Sequence, residues 1–426
     1  MNLREKDSAY ILHPYTQEKT ADSNIIMVRG EGVYLYDEAG NRYIDSCASW
    51  WTNIHGHAHP HIAQKIAEQA KQLEQVIFAG FSHPTAIELA EKLLGILPEG
   101  FAKVFYSDNG STAVEVAIKM SLQYWRNRGE ERTKVICFRD AYHGDTFGAM
   151  SVSARGIFTE PYQRLLFDVV FIDTPDLENE QHIVGQFRAA VEQNKSEIAA
   201  FIFEPLVLGS GGMKIYRPEL LDQLLDICSK HDIISIADEV MTGFGRTGRM
   251  FAIDHLGQTP DIICLSKGIT GGFIPFAATI TKQFIYDAFY DDEKSKMLFH
   301  GHSYTGNPLG CAAGLASLEV FEQEKTLDKI ADIASSHQVF AHKIKNNKAI
   351  KQVRQCGTIL VMEFRTDGAD GYLSNIRDRM YSFFMDRHIM LRPLGNVLYI
   401  LPPYCISKSD LSEIYQAIED FTADLL

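Results

Sequence analysis

The chain has 426 residues, of which 46% are hydrophobic and 23% are charged, and its formal net charge is −14. These values are typical of a globular protein with enough apolar residues for more than one compact core. The acidic balance, with lysines and arginines scattered along the chain, disfavours nucleic-acid binding, because phosphates would be repelled.

Cysteine usage and hydropathy predict the compartment. The seven cysteines are odd in number and no two form a C-x-x-C pair, which indicates free thiols in a reducing environment. The N-terminus is polar, and no apolar run of the sequence approaches the ~20 residues that a membrane span requires. We therefore expect a soluble, cytoplasmic protein.

The first hundred residues predict a small β hairpin followed by helices. Val33–Tyr36 and Tyr43–Asp45 are short apolar strands around a polar turn at residues 37–41. Helices are expected over Ile62–Leu73 and from Pro84 onward, because a proline at the first helical position loses no hydrogen bond.

The middle of the chain alternates short apolar runs with amphipathic stretches. One of these stretches begins at Pro218 and carries leucines at helical spacing. Strands that alternate with helices form a mostly parallel sheet covered on both faces, and ligands bind at the carboxyl ends of its strands. We expect an α/β fold with a seven-stranded sheet formed by Lys103–Tyr106, Val135–Phe138, Val169–Ile172, Ala199–Phe203, Ile233–Ala237, Ile262–Leu265 and Ala277–Ile280.

The C-terminal hundred residues have a different pattern. Ile359–Phe364 and Met390–Ile400 read as strands, and the second folds back at Gly395-Asn396, a pair common in two-residue hairpins. A final amphipathic helix begins near Ser409. Both chain ends are expected to form one smaller α+β domain beside a large cofactor-binding domain. The predicted parts are the N-terminal part of the small domain, the large domain and the C-terminal part of the small domain (residues 1–60, 61–325 and 326–426).

Two charged groups stand where predicted strands end. The strand before Asp238 runs directly into this carboxylate, and the strand Ile262–Leu265 runs into Ser266, Lys267 and a turn with three glycines. Taken alone, the acid is more often a helix cap, and the lysine is as often a solvated loop residue. Together, an aspartate for a ring nitrogen and a desolvated lysine for an aldehyde are the groups that a pyridoxal cofactor requires.

Two further motifs follow predicted strands of the same sheet. Gly110 and Ser111 open a helix, whose free N–H groups are suited to bind a phosphate, although ordinary helix capping is the commoner explanation. Tyr142 follows the next strand, where an aromatic ring is placed to stack on a planar ligand. The alternative for Tyr142 is a half-buried tyrosine in a polar loop.

Alternating histidines at positions 55, 57, 59 and 61 raise the alternative of a metal site. No aspartate, glutamate or cysteine follows at matching spacing, and Pro60 interrupts the segment. We prefer a loop that leads into the helix at Ile62–Leu73. A metal-dependent hydrolase built on the run His55–His61 is kept as a distant alternative.

In combination, these motifs resemble those of the class III pyridoxal-phosphate aminotransferases of fold type I, and the resemblance covers the whole chain. Within the family, the chain is similar to the enzymes of biotin biosynthesis that convert 8-amino-7-oxononanoate to 7,8-diaminononanoate with S-adenosylmethionine as amino donor. The family motifs are Ser107–Glu115, Tyr142–Thr146, Ala237–Gly248 and Ser266–Gly272. The narrower resemblance is carried by His13–Thr16, Ser49–Trp51, His300–Pro308 and Arg392–Tyr404.

The resemblance implies roles around a pyridoxal 5′-phosphate cofactor. Lys267 is expected to hold it as a Schiff base and to act as general base and acid, while Asp238 pairs with its ring nitrogen. Tyr142 is expected to stack on the ring. The phosphate is expected to bind Gly110, Ser111 and Ser303 of the partner subunit, because the family is a homodimer with active sites at the subunit interface.

The resemblance also implies a substrate pocket. Arg392 is expected to receive a substrate carboxylate through its fork of donors, and Tyr399 to contact the S-adenosylmethionine donor. Tyr15 is also expected to assist the chemistry. The full expected set comprises Tyr15, Trp50, Trp51, Tyr142, Asp145, Gly301, Arg392 and Tyr399.

Three positions depart from the family pattern. Relatives often carry threonine where Ser303 stands, and the hydroxyl for the phosphate is retained. Relatives often carry glutamine at Leu208, and some outside the subfamily carry one at Met241, so the contact to the cofactor's phenolate oxygen stays open. The alternatives within the family are a variant that uses lysine as donor and an ω-amino-acid:pyruvate transaminase.

Overall fold

The computed structural model describes residues 1–366 and 375–425. Within these ranges, no helix has the length and apolar character needed to cross a membrane. The helices are α1 (Leu3–Tyr10), α2 (Ala48–Trp51), α3 (Pro60–Ala70), α4 (Pro84–Ile96), α5 (Gly110–Asn127), α6 (Phe147–Ser151), α7 (Glu180–Gln193), α8 (Pro218–Lys230), α9 (Gln283–Asp287), α10 (Pro308–Gln323), α11 (Thr326–Ile344), α12 (Asn375–Met385) and α13 (Lys408–Asp424). The strands are β1 (Met27–Glu31), β2 (Tyr34–Asp37), β3 (Arg42–Asp45), β4 (Phe101–Ser107), β5 (Lys134–Phe138), β6 (Val170–Ile172), β7 (Ile198–Phe203), β8 (Val207–Leu208), β9 (Lys214–Ile215), β10 (Ile234–Asp238), β11 (Ile262–Leu265), β12 (Ala277–Lys282), β13 (Ile350–Cys356), β14 (Ile359–Phe364), β15 (Ile389–Met390) and β16 (Val397–Ile400).

The central sheet has seven strands in the order β4-β12-β11-β10-β7-β5-β6. β12 runs antiparallel to both of its neighbours, and the other pairs are parallel. Strand β7 is buried at every position, as expected for a strand with both faces of its sheet covered. All seven predicted strands are present, with ends that differ by at most two residues, so the predicted α/β fold is confirmed.

Three adjacent parallel strands bring charged side chains to one edge of this sheet. Within the register, Asp238 of β10 pairs with Cys264 of β11, and Ala237 pairs with Phe203 of β7. Because the carboxyl ends of parallel strands meet at the same edge, the residues that follow β7, β10 and β11 are neighbours in space.

Strands from both chain ends share a second sheet, in the order β1-β2-β3-β15. The predicted hairpin is confirmed as the antiparallel pair of β2 and β3, while β1 was not predicted. The C-terminal strand β15 joins this sheet through parallel pairing of Ile389 with Ile44. The division at residues 60 and 325 stays a prediction.

The predicted strand hairpin over Met390–Ile400 is wrong. β15 pairs with β3, whereas β16 pairs with β14 in a separate three-stranded sheet. A tight turn does form at Gly395-Asn396, since Leu394 and Val397 exchange backbone hydrogen bonds of 2.9 and 3.0 Å. Gly395-Asn396 therefore forms the predicted turn, but β15 and β16 pair with strands distant in sequence and not with each other.

Candidate active site

Lys267 lies two residues beyond β11, with a φ of 48° that is rare for a residue other than glycine. Burial lowers the pKa of its ammonium group to about 8, although the nearby carboxylates of Asp238 and Glu204 act in the opposite direction. The lowered pKa increases the unprotonated, nucleophilic fraction of this amine near neutral pH. The sequence prediction of a desolvated lysine at this strand end therefore agrees with its environment.

Asp238 ends β10 and is buried. Its Oδ2 atom lies 2.6 Å from Nδ1 of His143, and its Oδ1 atom accepts a hydrogen bond of 3.0 Å from the backbone N–H of Val240. These two contacts hold the carboxylate in one orientation at the edge from which Lys267 also emerges. His143 lies in the motif that the sequence singled out, but no role was assigned to it.

Glu204 is a second acid at this edge, and sequence reasoning missed it. It directly follows β7 and accepts hydrogen bonds of 2.9 Å from the backbone N–H groups of Tyr142 and Gly209. Burial raises the pKa of its carboxyl group to about 7, and the charge of Asp238 acts in the same direction. The available signal was an acid that directly follows an entirely apolar strand, which is the signal that pointed to Asp238.

The N-terminus of α5 forms a backbone cradle. The Asn109 side chain caps the helix by accepting from the N–H of Thr112, which leaves the N–H groups of Gly110 and Ser111 without an acceptor among the described residues. A Cβ atom on Gly110 would lie 2.6 Å from Val240, and one on Gly144 would lie 2.0 Å from Ser111 Oγ. Only glycine fits at both positions, and the free N–H groups at the start of this helix are suited to bind a phosphate.

Tyr15, Tyr142 and Asp145 form one hydrogen-bonded group. The Asp145 Oδ2 atom accepts a hydrogen bond of 3.0 Å from the Tyr142 hydroxyl and a shorter one from the Tyr15 hydroxyl. Burial raises the pKa of Tyr142 above its usual range, so both the burial and the acceptor favour the protonated phenol. The structure thus joins a residue near the N-terminus to the loop after β5, as expected from their shared assignment to the pocket.

Arg392 lies over the ring of Trp50, with 4.4 Å between its guanidinium carbon and the ring centroid. Trp50 is 39% exposed and contacts the Tyr15 ring edge-on at 5.7 Å. Among the described residues no carboxylate forms an ion pair with Arg392. A cation held by an aromatic ring and left without an anion is suited to receive a ligand carboxylate.

Trp51 and Tyr399 are placed deeper than Trp50. The Trp51 indole N–H donates a hydrogen bond of 3.1 Å to the Tyr399 hydroxyl. Both side chains are buried, and Tyr399 is only 1% exposed. Its ring therefore offers almost no surface to an entering molecule in this arrangement.

Gly301 and Ser303 lie in an exposed segment. Ser303 accepts a hydrogen bond of 2.6 Å from Gln75 through its backbone carbonyl, and no contact within the described chain links it to Gly110 or Ser111. Leu208 and Met241 are both buried, and neither carries a hydrogen-bonding group for a phenolate oxygen.

The four histidines of the run 55–61 have four separate partners. Their ring nitrogens lie 2.5 to 3.0 Å from one oxygen each, and no group of three metal-ligating side chains occurs in the part of the chain described. The pairs are His55 with Ser317, His57 with Asp45, His59 with Glu324 and His61 with Glu319.

The class-III aminotransferase family model matches residues 15–422. The chain belongs to the class-III aminotransferases. This aminotransferase is 45% identical over 422 residues to the adenosylmethionine-8-amino-7-oxononanoate aminotransferase of Synechococcus elongatus, with 98% of this chain and 99% of the relative covered. The relative of that name from Staphylococcus aureus is 36% identical over 442 residues, with 100% and 98% covered.

Solved structures agree with the family. The crystal structure of adenosylmethionine-8-amino-7-oxononanoate aminotransferase from Methanocaldococcus jannaschii has a TM-score of 0.93 at 37% identity, with 98% of each chain covered. An ω-transaminase from Pseudomonas jessenii in complex with PMP has a TM-score of 0.94 at 27% identity, with 100% and 99% covered. The cofactor of this aminotransferase is therefore pyridoxal 5′-phosphate, and the backbone cradle, the buried carboxylate and the lysine fit its phosphate, ring nitrogen and aldehyde.

Proposed function

We propose that this aminotransferase transfers the amino group of S-adenosylmethionine to 8-amino-7-oxononanoate and so forms 7,8-diaminononanoate in biotin biosynthesis. The observation that carries the proposal is the 45% identity, over 98% of the chain, to a relative named for this activity. We place the reaction in the cytoplasm and in a homodimer.

We assign to Lys267 the transfer of the proton that leaves a substrate carbon. When bound, pyridoxal phosphate supplies a conjugated ring that delocalises the electron pair left on a substrate carbon by proton loss. The Lys267 Nζ atom accepts this proton in its unprotonated form, and burial favours that form by lowering its pKa to about 8. The same atom then holds the proton for return.

We assign Asp238 to pair with the ring nitrogen of the cofactor. Its two oxygens accept from His143 Nδ1 and from the N–H of Val240, and each retains a further lone pair. A buried carboxylate in this place stabilises a proton on the ring nitrogen by its negative charge. His143 supports this role by fixing the orientation of the carboxylate.

The pocket rim, by which we mean the side chains of Tyr15, Trp50 and Arg392, is suited to a substrate with a carboxylate at one end. Arg392 lies over Trp50 without an ion-pair partner in the described chain, and the hydroxyl groups of Tyr15 and Tyr142 converge on Asp145. We assign Arg392 to the carboxylate of 8-amino-7-oxononanoate. The polar group around Asp145 is assigned to substrate amines, which its negative charge attracts.

The amino donor is tested by the half-reaction. S-adenosylmethionine, lysine and alanine are added separately to the purified holoenzyme, and the absorbance of the cofactor is followed. We expect the cofactor absorbance to change with S-adenosylmethionine and not with lysine or alanine. A change with lysine instead would identify the lysine-donor variant, and a change with alanine would identify an ω-amino-acid:pyruvate transaminase.

Exposed apolar side chains support the homodimer. The hydrogen bond from Gln75 to Ser303 ties together two segments that both carry large exposed apolar groups. Surfaces of this kind typically mark an interface, and we propose that a second copy covers this one. The exposed residues are Ile77, Phe81, Phe299 and Tyr304.

Hybrid dimers test whether Ser303 of the partner subunit completes the phosphate site. Chains with Lys267→Ala are mixed with chains that carry Ser303→Ala, and subunits are allowed to exchange. If Ser303 acts across the interface, one site of each hybrid has both residues intact, and tight cofactor binding returns to that site. If it acts within its own chain, no hybrid site has both, and cofactor affinity stays at the Ser303→Ala value.

A further inference from the structure

Trp51 lies against the amine of Lys267, although the sequence assigned it only to substrate binding. The Lys267 Nζ atom is 4.6 Å from the centroid of the Trp51 ring, within the distance of a cation–π contact. Trp51 is itself buried. A buried indole against the half-buried Lys267 is placed to act on its amine, and the indole has little surface left for a substrate.

The backbone that carries Trp51 is held in an unusual conformation. Ala48, Ser49 and Trp51 all have positive φ angles, of 51°, 60° and 66°. The fully buried carboxylate of Asp45 holds this turn by accepting from the N–H of Ser49 at 2.7 Å, and it also lies 2.9 Å from His57 Nε2. Backbone strain of this kind persists only where the surroundings enforce it.

The turn after Lys267 packs against the same segment. Gly272 has a φ of 85°, and a Cβ atom there would lie 2.9 Å from the backbone carbonyl carbon of Thr52. Gly272 therefore allows two protein backbones to approach each other. This close packing fixes the distance between Trp51 and Lys267.

The N–H edge of the indole is fixed by Tyr399. The Trp51 N–H donates to the Tyr399 hydroxyl at 3.1 Å, and the two rings meet edge-on with centroids 6.0 Å apart. Because Tyr399 is buried behind this contact, it touches Trp51 rather than open solvent.

We propose that Trp51 is a positioning residue for Lys267, whose Nζ atom rests on the indole face whenever it is not bonded to the cofactor, and the contact is strongest while Nζ carries a proton. Tyr399 orients the indole and acts on Lys267 only through it. The inference rests on the proposed role of Lys267, but not on the identity of the amino donor. It gives the displaced lysine a fixed position from which to accept and return a proton.

The test uses the full-length enzyme loaded with pyridoxamine phosphate, in which Lys267 is free. The pKa of Lys267 is measured from the pH dependence of its acetylation by acetic anhydride, followed by peptide mass spectrometry. Trp51→Leu removes the π face and is expected to lower this pKa by roughly half a unit to one and a half units. Trp51→Phe retains a weaker π face, so a smaller decrease is expected.

Two further variants keep the test decisive if Trp51→Leu does not fold. Tyr399→Phe removes the acceptor of the indole N–H. In the absence of an amino donor, this variant is expected to lower the pKa of Lys267 slightly. Trp125→Phe is the matched control, because Trp125 is also buried, donates its indole N–H at 2.9 Å and lies under a cation, Arg132. This control is expected to leave the pKa of Lys267 unchanged.

Each outcome decides the inference. An unchanged or raised pKa of Lys267 in the folded Trp51 variants overturns it. A Tyr399→Phe enzyme with a normal pKa of Lys267 but a raised KM for S-adenosylmethionine would assign Tyr399 to the donor instead. If the pKa decreases as expected while S-adenosylmethionine fails as donor, the positioning role stands and only the proposed substrate is wrong.

Discussion

The sheet edge and the pocket rim of this aminotransferase are built in different ways. At the edge, Asp238 and Lys267 follow adjacent parallel strands, so the regular register of the sheet fixes their separation. At the rim, Tyr15, Trp50 and Arg392 come from segments far apart in sequence and meet only through side-chain contacts. The comparison teaches that Asp238 and Lys267, which are assigned to the chemistry, are positioned by the central sheet, whereas Tyr15, Trp50 and Arg392 are positioned by contacts between segments outside it.

If this division is correct, the largest loss of activity comes from Lys267. Lys267→Ala is expected to lower the rate of either half-reaction by at least about 1000-fold, because the nucleophile and the proton carrier are both lost. Rates are measured from cofactor absorbance in single turnovers. Lys230→Ala, which removes an exposed helix lysine paired with Asp226, is the control and is expected to have normal rates. Full turnover by the Lys267 variant would remove the central assignment.

Asp238→Asn is expected to have the next largest effect, a loss of about 100-fold or more, because a neutral amide does not stabilise a proton on the ring nitrogen. Asp238→Glu retains the charge at a different position and is expected to lie between this variant and the wild type. Cofactor affinity and single-turnover rates are measured for both. Normal rates for the asparagine variant would contradict the proposed pairing with the ring nitrogen.

The contrast between edge and rim also explains what sequence reasoning found. Periodicity located all seven strands of the central sheet, and a charged residue after an apolar strand pointed to Asp238 and Lys267. The same signal was overlooked at Glu204. The contact of Trp51 with Lys267 has no local sequence pattern, because it joins segments more than 200 residues apart. The family resemblance assigned Trp51 to the substrate pocket but did not predict this contact.

At the rim, Arg392 tests whether the substrate-binding groups act separately from the chemistry. Arg392→Ala is expected to raise the KM for 8-amino-7-oxononanoate about 10- to 100-fold, because a charge-assisted hydrogen bond to its carboxylate is lost. The maximal rate of the half-reaction with the donor is expected to change far less. Arg392→Lys retains the charge without the planar fork and is expected to restore affinity only in part. An equal fall in all rates would instead place Arg392 in the chemistry.

Glu204 gives the smallest predicted effect and extends the comparison to the second acid at the sheet edge. Because burial raises its pKa from the usual 4.5 to about 7, the folded state binds more protons than the unfolded state between these values. Its contribution to the free energy of unfolding is therefore complete below about pH 4.5 and decreases as the pH rises to about 7, by ~1–3 kcal/mol. Chemical denaturation across this range measures the slope.

Glu204→Gln cannot ionise, so its stability is expected to depend less on pH over that interval than the stability of the wild type. Glu239 is also buried with a pKa raised to about 7 and contributes a slope of the same sign in both proteins. The difference between the two slopes therefore isolates Glu204. Identical slopes would mean that Glu204 stays ionised in the folded protein, and its negative charge would then favour the protonated form of Lys267 at the sheet edge.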